Sequence, residues 1–370
     1  MAPPRHLEHV KNLSAELVSW PVPYKDGLDL LLSFSGRRVV VLASGDPFFF
    51  GAGGPVSVRL SPEEWQSIPA PSSFALIASA LGWRLEDTCC LGVHALPFET
   101  IRTSLQPGSR LILLLKDSSS LAELGTFLSD HGYQDSICHI FSALKLTENT
   151  PLTCTAGTLK DQQADAPVCV GIELSPSSPS AISLNSGRPD SLFAHDGQIT
   201  KQPIRALSLS ALAPLAGQHL WDIGSGSGSI ALEWMMASPR QTAQAVEIRQ
   251  DRAEQIRKNA RAFGFDKPQG RFSVHCGDVL ELMDSLDRPD AVFIGGGLSQ
   301  PLLDRLWEHL APGCRIVANA VTVESEALLI SAQKRWGGAI LRIELSQLKQ
   351  LGSKQGWDAH YPIVQWTAVR

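Results

Sequence analysis

The stretch His219-Leu-Trp-Asp-Ile-Gly-Ser-Gly-Ser-Gly228 constrains this chain more than any other. An apolar run ends in Asp222, glycines fall at the alternate positions Gly224, Gly226 and Gly228, and a helix-like stretch follows from Ile230 to Ala237. A strand that breaks into a glycine turn and resumes as a helix gathers backbone N–H groups and a helix N-terminus at one point. Glycine is required there because a side chain would hold a ligand off the backbone. The spacing is not the Gly-x-Gly-x-x-Gly dinucleotide fingerprint. Gly228 comes one residue early and Ser229 takes the third-glycine position. Asp222, two residues before the first glycine, suits a ligand with a cationic or hydroxylated group near the strand end rather than a pyrophosphate.

The rest of the second half repeats the strand–helix alternation. Strands are expected at 220–223, 243–248, 272–276, 291–294 and 315–320, with helices at 252–263, 301–310 and 324–335. Strands separated by helices of this length imply a doubly wound α/β sheet. Two further strand-like stretches, 339–345 and 363–369, are expected to form an antiparallel edge. In such a sheet a ligand sits beyond the carboxyl ends of the strands. Four strand ends therefore matter. The first carries Asp222, Gly224, Ser225, Gly226 and Gly228. The second ends in Glu247, where a carboxylate can accept both hydroxyls of a ribose. The third ends in Gly277-Asp278, where Asp278 can accept from an adenine amino group. The fourth ends in Gly295-Gly296-Gly297, which leaves space beside a sulfonium. Taken singly, a glycine turn or a strand-end Asp has an ordinary structural use, the Asp most often as a helix cap. Together, in βαβ context, the four are similar to the Rossmann-like methyltransferases that bind S-adenosylmethionine. Ahead of this fold lies a polar stretch, 194–205, running into a helix near Pro203. Lys201 and Arg205 are four apart and can share a helix face; from spacing alone, a solvated helix start is the favoured explanation.

The first half also alternates. Residues 38–43 (Arg-Val-Val-Val-Leu-Ala) read as a buried parallel strand, as do 110–116, 137–141 and 168–174. Helices are expected at 72–81, stopped by Gly82, and at 121–131, closed by Gly132. The strand at 38–43 leads into Gly45-Asp-Pro-Phe-Phe-Phe-Gly51, with Asp46 at the strand end. With Pro71-Ser-Ser73 opening a helix and Leu91-Gly-Val-His94 at another strand end, Gly45, Asp46 and Ser73 mark a second ligand cleft. The alternative is a tight turn with an Asp cap. A Ser/Pro-rich stretch, 175–186, separates the halves and reads as a linker. The organisation expected is a first domain over 1–174, a linker over 175–186 and a second domain over 187–370.

Composition narrows the partners. The 370 residues carry a formal net charge of -5, which supplies no general field for nucleic acid. No apolar run approaches the roughly 20 residues that span a bilayer, and the first residues have no signal-peptide core. Seven cysteines without a Cys-x-x-Cys pair read as buried free thiols in a reducing cytoplasm, and no metal site is expected.

Four stretches of the second half resemble the decarboxylating precorrin C5,15-methyltransferases of cobalamin biosynthesis: 195–201 (His-Asp-Gly-Gln-Ile-Thr-Lys), 221–229, 293–297 (Phe-Ile-Gly-Gly-Gly) and 319–322 (Asn-Ala-Val-Thr). The first half resembles the tetrapyrrole methylases, whose hallmark is Gly45-Asp-Pro-Phe48 before Gly51. The order of the two halves is that of the bifunctional enzymes. The resemblance implies a tetrapyrrole methylase-type α/β domain lacking its first strand, followed by a Rossmann-like methyltransferase and decarboxylase domain. Against the family pattern, His94-Ala95-Leu96 stands where His-Gly-Arg is usual, and residues 144–148 (Leu-Lys-Leu-Thr-Glu) replace a Leu-Gly-Gly-Pro-Glu-Glu-like stretch.

What the resemblance implies is methyl transfer from S-adenosylmethionine to C5 and C15 of a precorrin, with loss of the C12 acetate carboxylate as carbon dioxide. The second domain would carry C15 and the decarboxylation, and the first would carry C5. Lys201 and Arg205 would hold substrate carboxylates, and His195 and Asp196 are the candidates for supplying the replacing proton. A cytoplasmic homo-oligomer acting on a small tetrapyrrole, without nucleic acid or membrane, is expected. Two rivals stand beside it. One is a methyltransferase of another substrate, such as RNA, built on the same second domain. The other keeps only the second domain active and makes the first a degenerate scaffold.

Overall fold

The computed structural model describes residues 1–11, 14–143, 150–177, 181–267 and 270–370, so residues 144–148 lie outside the described residues. It divides into two compact units, one of residues 1–96 and 106–180, the other of 97–105 and 181–370.

The first unit is built on a five-stranded sheet of β1 (Thr88–Gly92), β2 (Arg110–Leu114), β3 (Ile137–Ser142), β4 (Leu152–Thr155) and β5 (Val168–Glu173). The spatial order is β1-β2-β5-β3-β4, and only β1 and β2 run parallel. The helix Ser73–Leu81 starts where Ser72 accepts a hydrogen bond from the Ala75 N–H and stops at Gly82, φ 65. It buries Phe74, Ile77 and Ala78 against Ile112, Phe141 and Cys169 of the sheet.

Residues 38–43 are not a strand of this sheet, contrary to the expectation. Val40 is 65% exposed, and the stretch hydrogen-bonds to Met1: the Met1 amine donates to Val40 O at 2.7 Å, and Leu42 N donates to Met1 O at 2.9 Å. A β-branched run states a preference for extended backbone. It does not supply the neighbouring ladder that makes a strand.

The second unit carries a seven-stranded sheet of β6 (His219–Ile223), β7 (Thr242–Glu247), β8 (Phe272–Cys276), β9 (Ala291–Ile294), β10 (Arg315–Ala320), β11 (Ala339–Ile343) and, after a hairpin of β12 (Ser346–Leu351) and β13 (Lys354–Ala359), β14 (Ile363–Val369). The order is β11-β14-β10-β9-β6-β7-β8. Strands β6 to β10 are parallel, and β14 runs antiparallel between β10 and β11. The antiparallel edge is as expected. The hairpin β12–β13 was not anticipated.

Alternation along β6 sends Leu220 to one face and Trp221 to the other. Leu220 packs with Leu209, Leu212, Ile230 and Ile256 from helices Gln202–Leu212, Ser229–Met236 and Gln250–Ala262. Trp221 packs with Leu302, Leu306 and Leu329 from helices Gln300–His309 and Val323–Trp336. Each such fully buried aliphatic side chain contributes about 1.5–3 kcal/mol. Residues 97–105 belong to this unit: the Arg102 guanidinium donates to Ala262 O at 2.8 Å and lies over the Phe263 ring. The chain runs from β6 outward through β7 to β8, then returns to place β9 on the other side of β6. That reversal opens a crevice at the carboxyl ends of the strands.

Candidate active site

The crevice is a cleft of about 820 Å³ lined by Gly224, Ser225, Gly226, Glu247, Asp278, Gly295 and Gly296, with Lys201 on its lip. Of the residues singled out from sequence in this half, these eight come together. Gly224 shows why two glycine turns meet here. At φ 62, its Cβ would lie 2.6 Å from Gly296 N and O, so the turn after β6 packs backbone against backbone on the turn after β9. Gly226, at φ 59, has nothing nearer its Cβ position than Gln198 O at 3.8 Å, so its face toward the cleft is open.

Glu247 is 4% exposed, and its carboxylate bridges the cleft floor. One oxygen accepts the Gly226 N–H at 2.9 Å and the other the Arg249 N–H at 3.0 Å. Each oxygen keeps a lone pair for a further donor. Asp278 accepts the Leu280 N–H at 2.9 Å, which makes it the cap of a short helix as well as part of the cleft wall.

Asp222 has a different position from the one expected. It is 1% exposed and lies inside the turn, where one carboxylate oxygen accepts the Ser225 hydroxyl at 2.7 Å and the Ala231 N–H at 3.1 Å. It thereby ties the glycine turn to the helix behind it. Burial raises its pKa from 3.8 to about 6, against the pull of those two hydrogen bonds, and the Glu247 carboxylate adds to the rise. Its other oxygen is buried without a hydrogen-bond partner among the described residues. Gly228 also serves packing: a Cβ there would lie 2.7 Å from Ile256 Cγ2 of helix Gln250–Ala262.

The expected carboxylate clamp of Lys201 and Arg205 is corrected by half. Arg205 is fully buried and every donor group is engaged. Its Nε donates to Glu233 at 2.7 Å, and one terminal nitrogen donates to Asp190 at 2.9 Å and to Thr200 O. The other terminal nitrogen donates to Arg188 O. A helix face can be read from spacing, but whether that face turns inward cannot. His195 and Asp196 stand beside the lip, not in it. His195 Nδ1 accepts the Gly197 N–H at 3.0 Å, and Asp196 pairs with Arg252 at 2.9 Å. The Gln198 N–H, and then Arg252, hold the Asp196 carboxyl below its ordinary range. Arg252 itself lines the cleft, as do Asn319 and Tyr361. None of the three was singled out as a site residue. Asn319 could have been, since it is the polar residue in the otherwise apolar interior of β10.

In the first unit, the three pieces expected to form a cleft do converge. A Cβ on Gly45 would lie 3.3 Å from Ser72 Cα and 3.7 Å from Ser73 N, and one on Gly92 would lie 3.1 Å from the Phe50 ring and 3.4 Å from His94. Asp46 accepts the Phe48 N–H at 2.8 Å, closing its own turn. Gly51 and Gly53 have a reason internal to the loop, because Cβ atoms there would overlap the carbonyls of Asp46 and Pro47.

Residues 29–160 match the tetrapyrrole (corrin/porphyrin) methylases and residues 191–370 the precorrin methyltransferase domain. A precorrin-6Y C(5,15)-methyltransferase [decarboxylating] from Sinorhizobium is 38% identical over 98% of this chain and 88% of its own length. The protein of the same name from Mycobacterium tuberculosis is 37% identical over 97% of this chain and 89% of its own. The chain belongs to the decarboxylating precorrin C5,15-methyltransferases. A solved structure, the C-terminal domain of precorrin-6Y C5,15-methyltransferase from Rhodobacter capsulatus, is 52% identical over 51% of this chain and all of its own, with a TM-score of 0.49.

Precorrin methyltransferases of this family take their methyl groups from S-adenosylmethionine, and the cleft fits that donor. Gly226 leaves a cradle that a side chain would fill, and the sequestered Glu247 carboxylate has acceptor capacity left for a diol. No helix among the described residues is long and apolar enough to cross a membrane.

Proposed function

We propose that this chain methylates a precorrin at C5 and C15 and removes the carboxylate of its C12 acetate. The second unit would carry out the C15 methylation and the decarboxylation. The observation that carries the reading is the cleft beyond β6 to β10, where the Gly224–Gly226 turn, Glu247 and the Gly295–Gly297 turn form one wall. When bound, S-adenosylmethionine supplies an electrophilic methyl group on a sulfonium. The protein's part is alignment. Glu247 would hold ribose hydroxyls, the open face of Gly226 would admit the methionine portion, and Asp278 would accept from an adenine amino group. Lys201 and Arg252 give the lip two cations for the carboxylates of the macrocycle. His195 and Asp196 do not line the cleft, so the reading takes the proton that replaces the lost carboxylate from water.

The test is the product made by the full chain from precorrin and S-adenosylmethionine. The expected mass is two methyl groups more and one carbon dioxide less than the substrate; unchanged substrate would sink the reading. A second reading keeps only the second unit active. It is favoured by residues 38–43 standing outside the first unit's sheet. Calorimetry separates the two by counting donor sites, two for the first reading and one for the second. The proposed domains are 1–174, a linker over 175–186, and 187–370, with residues 97–105 of the first grouping with the second unit. The reading also includes a cytoplasmic setting, supported by the buried free thiols of Cys138, Cys169 and Cys314. It includes a homo-oligomer too, supported by the exposed cross-strand pair Leu348 and Trp357 and checked by light scattering.

A further inference from the structure

A polar network lies beside the cleft where the sequence is otherwise apolar. The Asn319 amide donates to Ser208 Oγ at 2.9 Å, and the Gln365 amide donates to Asn319 Oδ1 at 2.9 Å and to Ser208 Oγ at 3.0 Å. Ser208 is fully buried and Gln365 is 2% exposed. Burying the Ser208 and Gln365 side chains beside the half-buried Asn319 costs stability unless each is satisfied, so the arrangement calls for a use. Asn319 and Gln365 are direct partners across β10 and β14, and Ser208 comes from helix Gln202–Leu212, which follows the lip. The network therefore fixes the carboxamide of a residue that lines the cleft from two sides. A carboxamide has two N–H groups and two oxygen lone pairs. One of each is used within the network, which leaves one donor for a ligand. Ala318 is level with Ile294, the last residue of β9, so Asn319 stands next to the Gly295–Gly297 turn. Beside it in the cleft are the apolar side chains of Val321 and Ile363.

We infer that Asn319 is the group that binds the carboxylate lost in decarboxylation, an assignment that rests on the function proposed above. In that step the bond between the acetate methylene and its carboxylate carbon breaks. The electron pair stays on the methylene and spreads into the conjugated macrocycle. Neutral carbon dioxide departs, and a proton from water completes the methyl group. Negative charge thus leaves the carboxylate as the reaction proceeds. A lysine or arginine bound to it would stabilise the starting state more than the transition state and slow the step. A neutral amide donor lacks the full positive charge that would favour the carboxylate over the transition state. It can still turn the carboxylate so that the breaking bond stands upright on the ring's π system, which is the alignment that counts. Apolar neighbours keep water from solvating the carboxylate, and the cations Lys201 and Arg252 remain for carboxylates that are retained.

The test uses the full chain, S-adenosylmethionine and precorrin-6B, with products separated by mass. In Asn319→Asp the carboxylate side chain keeps the shape, still accepts from Gln365 and no longer donates. The expected result is a rise of at least about tenfold in the ratio of methylated product that retains the carboxylate to product that has lost it. Asn319→Ser, a smaller side chain that tolerates loss of the network, should shift the ratio in the same direction and answers the question should the Asp variant not fold. Gln365→Leu, which frees the Asn319 amide to rotate, should move the ratio less but the same way; loss of fold stability alone would lower both products together. A wild-type ratio in the Asn319 variants overturns the assignment while leaving the proposed function standing. A wild-type chain that turns over no precorrin overturns both.

Discussion

Arg205 and Glu233 meet at 2.7 Å with neither side chain exposed to solvent. Glu233 lies on the helix that follows the glycine turn, and Arg205 on the helix that follows the lip, where it also holds Thr200 O. The same carboxylate accepts the backbone N–H groups of Gly187 and Arg188 and pairs with the Arg188 guanidinium at 3.3 Å. One buried anion therefore fixes the cleft's lip to its floor. Removing one partner of such a pair leaves an uncompensated charge, which costs about 3–5 kcal/mol. Glu233→Ala should lower stability to urea by that amount. The double variant Arg205→Met with Glu233→Met should lose less than Glu233→Ala alone, and equal losses would show the charges do not depend on each other.

Asp222 makes stability depend on pH. Its folded pKa of about 6 lies above its ordinary 3.8, so the folded state holds the proton more tightly than the unfolded chain. The contribution is fully present below about pH 4 and is lost as pH rises through about 6, with a size on the order of 3 kcal/mol. Asp222→Asn keeps an oxygen for Ser225 and Ala231 but cannot ionise. The unfolding free energy of the native chain minus that of Asp222→Asn should therefore fall between about pH 4 and 6 and stay level above. A difference that is flat from pH 4 to 8 would place the raised pKa elsewhere.

The strands of the second unit were legible because a buried parallel strand is a short apolar run between helices, and β8, β9 and β10 lie where their runs do. The four strand-end motifs could be placed for the same reason: the topology carries them to one edge. What could not be read was the direction of a side chain at a strand end. Asp222 and Glu247 are both strand-end carboxylates, yet one turns inward to the helix and the other lines the cleft. Arg205 was lost to the interior in the same way. Residues 38–43 failed for another reason, since pairing is a property of two segments and a pattern describes one. The hairpin β12–β13 had a signal in its two-residue Gly352-Ser353 connection, but its strands are exposed at every position except Gly356 and carry no apolar period.

Glu247→Ala should weaken S-adenosylmethionine and S-adenosylhomocysteine about equally, because both carry the ribose the carboxylate is placed to hold. The loss of a charged hydrogen-bonding partner costs about 1.5–3 kcal/mol, or roughly ten- to a hundredfold in affinity. The Gly226 N–H loses its acceptor in the same variant, so Glu247→Gln, which can still accept there, should bind better than the alanine variant. Calorimetric titration of both ligands decides. Strong discrimination between them would put Glu247 at the sulfonium instead.

The two glycines of the turn should fail differently. Gly224 has no room: its Cβ would meet the backbone of Gly296 at 2.6 Å, and neither turn can yield without separating β6 from β9. Gly224→Ala should therefore destabilise the second unit, with the left-handed backbone adding about 1–2 kcal/mol of strain. Gly226 has room for a Cβ, so Gly226→Val carries the strain of a branched residue at φ 59 without the backbone overlap that a Cβ meets at Gly224. Its side chain would occupy the open face assigned to the ligand's methionine portion. The expected pattern is a Gly226→Val chain that is still folded at the temperature of the binding assay, with its unfolding temperature lowered by the backbone strain, and that no longer binds S-adenosylmethionine. The Gly224→Ala chain should lose stability and binding together. Thermal unfolding and calorimetry on the same samples separate the cases, and native affinity in Gly226→Val would show that the ligand does not lie against that turn.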